Sequence, residues 1–356
     1  MSRKDLEGRA QTVLGTIEGG ALGLTSCHEH VLWDFRPYFR EPQDATEREL
    51  AHQEVSMENL HWIRVRPGAN IDNLCQTDEA LAIKELLPLR HAGGGTVVEL
   101  SNQGMCRDPL GLARVSRATG LNIIMGSGYY CSESHPANMD EKTEDEIADE
   151  IVNDILQGVG LTGIRSGIIG EIGCSDPFMP NERKVLRACA KAQRKTGAPV
   201  NVHPSTDDDL VMENIGELRE YGADLSRVAI SHIDGFNFSI STIRKILEAG
   251  CYVEYDGFGQ AVYHIPYKGK VLNRLSDMGR AEAILSWINE GFRDQIIIGQ
   301  DYCFKCVLAS YGGYGYDHML NNLVPVMQAV GLGEGDIRAL LVDNPRRFLE
   351  FAPAGS

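Results

Sequence analysis

The segment ALGLTSCHEH, residues 21–30, is an apolar run that ends in two histidines, His28 and His30. Alternate residues of an extended chain point to the same side, so both imidazoles can converge on one ion. In a β/α barrel the active site is built at the C-terminal ends of the strands. The segment therefore predicts a first strand, Ala21–Ser26, that delivers both histidines to such a site.

Seven further strand-like runs follow, and amphipathic helical stretches separate them. The predicted strands are Thr96–Leu100, Asn122–Gly126, Gly167–Ile172, Pro199–Val202, Arg227–Ser231, Cys251–Tyr255 and Gln295–Gly299. Most are continuous apolar runs, which is typical of parallel strands covered on both faces. Helix signals lie between them, such as the capping box that Thr143 and Glu146 form. Strand and helix alternating eight times indicate a closed barrel or a doubly wound sheet.

The length of 356 residues suits one barrel with insertions, and a hydrophobic content of 43% allows a large core. We therefore interpret the chain as an α/β protein, a TIM (β/α)8 barrel that forms a single domain over residues 1–356. An irregular insertion at about residues 33–77 follows the first strand, and we expect it to cover one face of the barrel.

The net charge of −16 argues against a nucleic-acid partner, because such binding depends on Lys and Arg that neutralise phosphates. We expect no membrane partner, because no apolar run approaches the roughly 18 residues that a spanning helix needs. The N-terminus lacks the apolar run of a secretory signal. The nine cysteines are scattered, with Cys303 and Cys306 as an isolated C-x-x-C pair. These features favour free thiols and a cytoplasmic location.

Four more polar residues lie at predicted strand ends. Glu171 ends the fourth strand, His203 the fifth and His232 the sixth, and Asp301 follows the eighth. A lone histidine at a strand end is more often a hydrogen-bonded structural residue than a metal ligand. However, a carboxylate in an apolar strand is expensive to bury without a partner. Five strand ends that agree at one face of the barrel favour a metal site.

Four imidazoles and two carboxylates exceed the needs of one tetrahedral zinc, so we predict two divalent metal ions. One ion would take His28, His30 and Asp301, and the other would take His203 and His232. Glu171 would bridge the two ions through its two oxygens. Such a pair of ions shares a hydroxide and polarises the bond under attack. Asp301 is the predicted catalytic residue, which accepts a proton from the hydroxide and passes it to the leaving group.

Several motifs together carry a resemblance to a known family. They are Val13-Leu14-Gly15, Thr25-x-x-His28-Glu29-His30, Gly167–Gly173, Ser231-His232, Gly312–His318 and Asn344–Leu349. In these motifs the chain resembles the phosphotriesterase family of the amidohydrolase superfamily, and more narrowly its phosphotriesterase-related branch. The resemblance covers nearly the whole chain. It implies the barrel, a binuclear centre that usually holds zinc, the ligand roles above and, as is often found in relatives, a homodimer.

Two departures from the family pattern bear on the substrate. Glu171 stands where phosphotriesterases and their lactonase relatives usually have a carboxylated lysine. The organophosphate-degrading enzymes also have a histidine after strand seven that relays protons from the catalytic aspartate. This chain has Asp256-Gly257 in that region. The resemblance therefore does not imply efficient organophosphate hydrolysis.

Four residues are candidates for substrate binding. Tyr130 follows strand three, where lactonase-like relatives place a tyrosine beside the bridging hydroxide. Tyr314, Tyr316 and His318 lie on the glycine-rich loop after strand eight, and loops at that face shape substrate pockets. A structural role in the loops is the alternative for all four.

We therefore predict a metal-dependent hydrolase that uses a metal-bridging hydroxide to cleave a carboxylic ester, lactone or amide of a small-molecule substrate. The resemblance favours an N-acyl amino compound, such as an acylated taurine or amino acid, or a lactone. Phosphoester or phosphotriester hydrolysis is the alternative reaction, because the same centre polarises phosphoryl oxygens. An alternative of another class is a catalytically inactive metal-containing binding protein. It is disfavoured because a competent residue occupies every ligand position.

Overall fold

A computed structural model describes residues 2–260, 264–267 and 270–353. Within these residues, eight strands form one parallel sheet whose spatial order follows the chain. The strands are β1 (Leu24–Glu29), β2 (Gly94–Glu99), β3 (Asn122–Ser127), β4 (Ile168–Gly173), β5 (Val200–His203), β6 (Val228–Ile230), β7 (Tyr252–Tyr255) and β8 (Ile296–Ile298). The C-terminal ends of all eight strands therefore lie at the same end of the barrel, which we call its C-terminal face.

The sheet nearly closes on itself where β8 meets β1. The backbone N–H groups of Gln300 and Asp301 donate to the carbonyl oxygen of His28, at 3.2 and 3.0 Å. Gly299 permits this approach, because a Cβ there would lie 2.6 Å from the Cβ of His28. The predicted TIM (β/α)8 barrel with a single domain is confirmed.

Helices connect the strands in sequence. The helices of the described residues are α1 (Ala45–Ala51), α2 (Leu60–Ile63), α3 (Glu79–His91), α4 (Pro109–Thr119), α5 (Glu144–Leu156), α6 (Pro180–Thr196), α7 (Asp208–Glu220), α8 (Ile240–Glu248), α9 (Asp277–Asn289), α10 (Val324–Val330), α11 (Glu334–Arg338) and α12 (Asn344–Leu349). The predicted capping box is present at α5, where Thr143 and Glu146 bond reciprocally. No described helix is both long and apolar enough to cross a membrane.

The core between sheet and helices holds the strand ends in place. Ile169 of β4 and Val200 of β5 pack with Val185 and Leu186 of α6 in one cluster, and all four are fully buried. Close packing of this kind leaves little room for the strands to shift. The polar residues that follow these strands are therefore carried on a rigid frame.

The segment at 33–77 lies between β1 and α3. Two short antiparallel strands close it, Trp33–Asp34 and Cys75–Gln76, and α1 and α2 lie between them. Two further antiparallel hairpins pair Arg9–Thr12 with Gly15–Glu18, and His264–Tyr267 with Lys270–Asn273.

The first strand differs from its predicted bounds. The prediction ends it at Ser26, whereas β1 continues to Glu29. The reason is tertiary, because Glu29 pairs with Glu99 of β2 beyond a register shift that lies between Ser26 and Glu29. His28 therefore lies within the strand rather than beyond it, at the register shift, and its carbonyl oxygen accepts the backbone N–H groups of Gln300 and Asp301.

Candidate metal centre

Six side chains that the sequence placed at strand ends meet at the C-terminal face of the barrel, with Glu171 at their centre. One of its oxygens, Oε1, lies 2.8 Å from Nδ1 of His203 and 2.8 Å from Nε2 of His232. These two histidines come from β5 and from the turn after β6. They form one side of the cluster.

The other oxygen of Glu171 faces the opposite side. Oε2 lies 3.7 Å from Nε2 of His28 and 3.9 Å from Nε2 of His30. Asp301 completes this side, because its Oδ1 lies 3.8 Å from Nε2 of His28 and 3.3 Å from Nε2 of His30. The two oxygens of one carboxylate thus face the two sets of ligands that the sequence separated.

The chemistry of these donors fits metal ions. Nε2 of His28 is buried and has no hydrogen-bond partner in the described structure. Among the described residues, three sets of three possible ligand atoms lie within 4.8 Å of one another, namely His28, His30 and Asp301, then His28, Glu171 and His232, and then His28, Glu254 and Asp256. Imidazole nitrogens and carboxylate oxygens are common ligands of divalent transition metals. The residues present therefore form a candidate metal centre.

A second layer of carboxylates orients two of the histidines. Nδ1 of His28 lies 3.1 Å from Oε2 of Glu254 and 3.3 Å from Oδ2 of Asp256. Nδ1 of His232 lies 3.0 Å from Oδ1 of Asp256. A partner on one ring nitrogen fixes the tautomer and turns the other nitrogen toward the ion. Asp256 thus holds one histidine from each side of the cluster.

Neutral groups complete this support. Ser101 lies 2.9 Å from Nδ1 of His30. The amide of Asn201 and the hydroxyl of Ser231 donate to Glu254, at 2.6 and 2.8 Å. Glu254 is thereby held in place although it is fully buried.

The cluster carries much buried negative charge. Four carboxylates lie within it and are almost fully buried, namely Glu171, Glu254, Asp256 and Asp301. Burial alone would raise the pKa of Glu171, but the imidazoles of His28 and His203 hold it well below its ordinary value. Burial alone would lower the pKa of His232, but Asp256 raises it to about 10. The centre therefore attracts positive charge, which bound cations would supply.

Two of the candidate ligands have unusual backbone conformations. His232 has φ of +56° and Asp301 has φ of +47°, a left-handed region that residues other than glycine rarely adopt. Oδ2 of Asp256 accepts the N–H of His232 at 2.8 Å, and the carbonyl of His28 accepts the N–H of Asp301 at 3.0 Å. Such strain is typical of functional sites where the surroundings enforce one geometry.

A cavity of about 520 Å³ opens over the cluster. Its base includes His30, Glu171, His203, His232 and Asp301. Its walls are largely apolar and aromatic, and they include Phe35, Tyr38, Leu74, Phe236, Leu272 and Phe304. Several of these wall residues belong to the segment at 33–77, which thus shapes the entrance.

The four candidate substrate residues lie in different places. Tyr130 lines the cavity, with its hydroxyl 3.1 Å from Nδ1 of His203. Tyr316 is buried and donates its hydroxyl to the carbonyl of His30 at 2.6 Å. Tyr314 stacks on His318 at 4.5 Å, and His318 lies 2.7 Å from Asp277. Among the described residues that line the cavity, only Tyr130 belongs to this group, and its substrate contact stays a prediction.

Sequence reasoning did not assign the orienting role of Glu254 and Asp256. A signal was available, because the two carboxylates are two residues apart at the end of β7. The same alternation that aligns His28 with His30 applies to them. Arg274, which also lines the cavity, follows a hairpin and has no such periodic signal.

We expect Asp256→Asn to weaken metal binding about 10- to 100-fold, because it removes a carboxylate that orients His28 and His232. Titration of metal-free protein with Zn²⁺, followed by calorimetry, measures this change. Asp154→Asn is a matched control, because Asp154 pairs with Arg107 at 2.7 Å on another part of the barrel. Equal affinity in the Asp256 variant and in the control would contradict the orienting role.

An eight-stranded parallel barrel with a histidine and carboxylate cluster at its C-terminal face defines the class of metal-dependent barrel hydrolases. Comparison with known proteins places the chain more closely. The model of the phosphotriesterase family matches residues 8–349. The chain therefore belongs to the phosphotriesterase family.

Individual relatives agree with this assignment. An N-acetyltaurine hydrolase from Dictyostelium discoideum is 38% identical, over 96% of this chain and 98% of the relative. The structure of a resiniferatoxin-binding protein from Rhodobacter sphaeroides has a TM-score of 0.93 at 34% identity, covering 98% of both chains. A phosphotriesterase homology protein from Escherichia coli, with phosphate in its active site, has a TM-score of 0.76 at 26% identity. It covers 92% of this chain and 99% of its own.

Proposed function

We propose that this protein is a binuclear zinc hydrolase that cleaves a carboxylic amide, ester or lactone bond, with N-acyl amino compounds as the favoured substrates. The observation that carries the proposal is the position of Glu171. Its two oxygens face two separate histidine sets in a buried cluster at the base of a cavity.

His28, His30 and Asp301 would hold one ion, and His203 and His232 the other, with Glu171 contacting both. When bound, two such ions polarise a carbonyl and lower the pKa of a water into the neutral range. The imidazole rings are already oriented for this, because Ser101 and Asp256 hold nitrogens of His30 and His232 on the side away from the cluster.

Asp301 is the group that moves the proton in this proposal. It lies at the floor of the cavity, and its Oδ2 accepts a hydrogen bond from Nε2 of Gln260 at 3.3 Å. Its carboxylate would take the proton of the attacking water and deliver it to the leaving nitrogen or oxygen. Gln260 also donates to the carbonyls of Gln300 and Asp301, both at 2.8 Å, and so anchors this turn.

The apolar walls favour a carboxylic substrate with an acyl group. Phe35, Leu74 and Phe236 present hydrophobic surface beside the cluster, where an acyl chain would leave water. The relatives named N-acetyltaurine hydrolase support amide cleavage. In this proposal the hydroxyl of Tyr130, which lies 3.1 Å from Nδ1 of His203, would contact the carbonyl oxygen of such a substrate.

Removal of metal is the primary test. We expect prolonged dialysis against a chelator to abolish hydrolysis, and addition of Zn²⁺ to restore it, because the chain's own carboxylates and imidazoles do not replace the ions. The measurement is hydrolysis of N-acyl amino acids, N-acyltaurines, lactones and aryl phosphotriesters, together with elemental analysis for two ions per chain. Full activity of metal-free protein would contradict the proposal.

The same panel separates the other candidates. Preference for phosphotriesters would favour the phosphoester alternative. Protein that holds two ions but is inert to the whole panel would favour a binding protein. Cytoplasmic location and a homodimer stay predictions.

A further inference from the structure

Two guanidinium groups line the cavity, and they differ in their partners. Arg40 lies 3.7 Å from Glu133, and its side chain is 66% exposed. Arg274 is half-buried, and within residues 2–260, 264–267 and 270–353 no carboxylate lies within 4.0 Å of its nitrogens. Arg274 is thus a cation of the cavity wall that has no carboxylate partner in the described structure.

The position of Arg274 is nevertheless well defined. Its Nη1 donates a short hydrogen bond to Oε1 of Gln260. The amide nitrogen of Gln260 in turn donates to Oδ2 of Asp301 at 3.3 Å and to its carbonyl at 2.8 Å. The guanidinium is therefore held one amide group away from Asp301.

In this arrangement the guanidinium of Arg274 keeps a hydrogen-bond donor without a partner in the described part of the chain. This donor is Nε, which is buried. A guanidinium is always charged in proteins, and it offers five N–H donors in a fixed plane. A half-buried cation with an unsatisfied donor is unfavourable unless an anion completes it. Carboxylate and other oxyanions fit the planar fork with two parallel hydrogen bonds.

We propose that Arg274 determines substrate specificity by binding the anionic group, carboxylate or sulfonate, on the amino side of the scissile amide. This inference rests on the proposed function of the metal centre. In N-acyl amino acids and N-acyltaurines the anion is one or two carbons from the scissile nitrogen. With that nitrogen beside Asp301, which would protonate it, the anion reaches the guanidinium that Gln260 holds nearby.

The test compares an anionic substrate with a neutral one that has the same scissile bond, namely N-acyltaurine and N-acylethanolamine. We expect Arg274→Met to raise KM for the taurine compound roughly 10- to 100-fold, because a charged hydrogen-bonded pair is lost. For the ethanolamine compound we expect a much smaller rise in KM, so the ratio of the two KM values reports the contact with the anion, and any effect through Gln260 on Asp301 is common to both substrates. A role limited to structure would lower activity on both substrates alike.

Arg40→Met is the matched control, because it removes an exposed guanidinium from the same rim. We expect a change of less than about threefold for either substrate, since exposed ion pairs contribute little. Arg274→Lys keeps the charge but loses the planar fork, so its KM for the anionic substrate should lie between those of the wild type and Arg274→Met.

A binding measurement keeps this inference separate from the proposed function. Calorimetry compares an alkyl sulfonate with the matching neutral sulfonamide, on wild-type protein and on Arg274→Met. Tighter binding of the sulfonate by at least about tenfold in the wild type, lost in the variant, supports the anion site even if no amide is cleaved. If Arg274→Met does not fold, the test uses the ratio of sulfonate to sulfonamide affinity in the wild type and in Arg274→Lys. A lower ratio in Arg274→Lys than in the wild type then supports the anion site. Equal binding of sulfonate and sulfonamide by the wild type, or unchanged substrate preference in Arg274→Met, would overturn the inference.

Discussion

Asp301→Ala is expected to lower kcat/KM for the amide substrate by roughly 10²- to 10⁴-fold while the barrel stays folded. We expect a decrease of this size because the variant loses a positioned proton-transfer group. It also loses a proposed metal ligand, which adds to the decrease. Asp301 contributes its carboxylate after β8, and its backbone N–H bond to His28 does not depend on the side chain. Steady-state kinetics and a thermal unfolding curve measure both parts of the prediction.

Two further variants show which role the carboxylate has. Asp301→Asn keeps an oxygen for the metal but cannot accept the proton, so we expect it to retain more metal than Asp301→Ala and yet to remain inactive. Asp317→Ala is the control from the same loop, where the carboxylate accepts a bond from Asn321 at 2.9 Å. Near wild-type turnover in either Asp301 variant would remove Asp301 from the mechanism.

Glu171→Gln should deplete both metal ions together and abolish turnover. The physical reason is that one carboxylate faces both histidine sets, with Oε1 2.8 Å from His203 and Oε2 3.7 Å from His28. The amide is nearly the same size, but it is neutral and one of its oxygens has become a donor. Elemental analysis of purified protein, before and after competition with a weak chelator, gives the metal content per chain.

Glu85→Gln controls for replacing a buried glutamate. Its carboxylate accepts the backbone N–H groups of Ala309 and Ser310, at 2.7 and 2.9 Å, and takes no part in the cluster. We expect its metal content to equal that of the wild type. If Glu171→Gln loses one ion and keeps the other, Glu171 does not bridge.

The glycine-rich loop shows where sequence reasoning is weakest. Tyr314, Tyr316 and His318 lie close together in sequence, yet the side chain of Tyr316 points away from the other two, which stack on each other. Tyr316 is buried under His30, whereas Tyr314 is 55% exposed and stacks on His318. A loop has no repeat that relates sequence position to direction, so the packing of neighbouring elements decides where each side chain points.

The position of the orienting carboxylate Asp256 could be predicted from the sequence only in part. Asp256 follows a strand, so its side of the sheet follows from alternation. The alternation does not predict that Asp256 contacts both His28 and His232, because those histidines come from β1 and from the turn after β6. Their contact with Asp256 depends on how closely three strands approach at the barrel mouth.

The sequence by itself determined the alternation of eight strands with helices, which a barrel satisfies, and the six candidate ligands. Both follow from short-range regularities, since apolar runs mark parallel strands and polar residues at their ends share one face. Only the tertiary structure decided which oxygen of Glu171 faces which histidines, which residues line the cavity, and that Arg274 is held near Asp301 by Gln260. These features depend on distances between segments that are far apart in the chain. Side-chain packing sets those distances, and the periodicity of the sequence does not encode them.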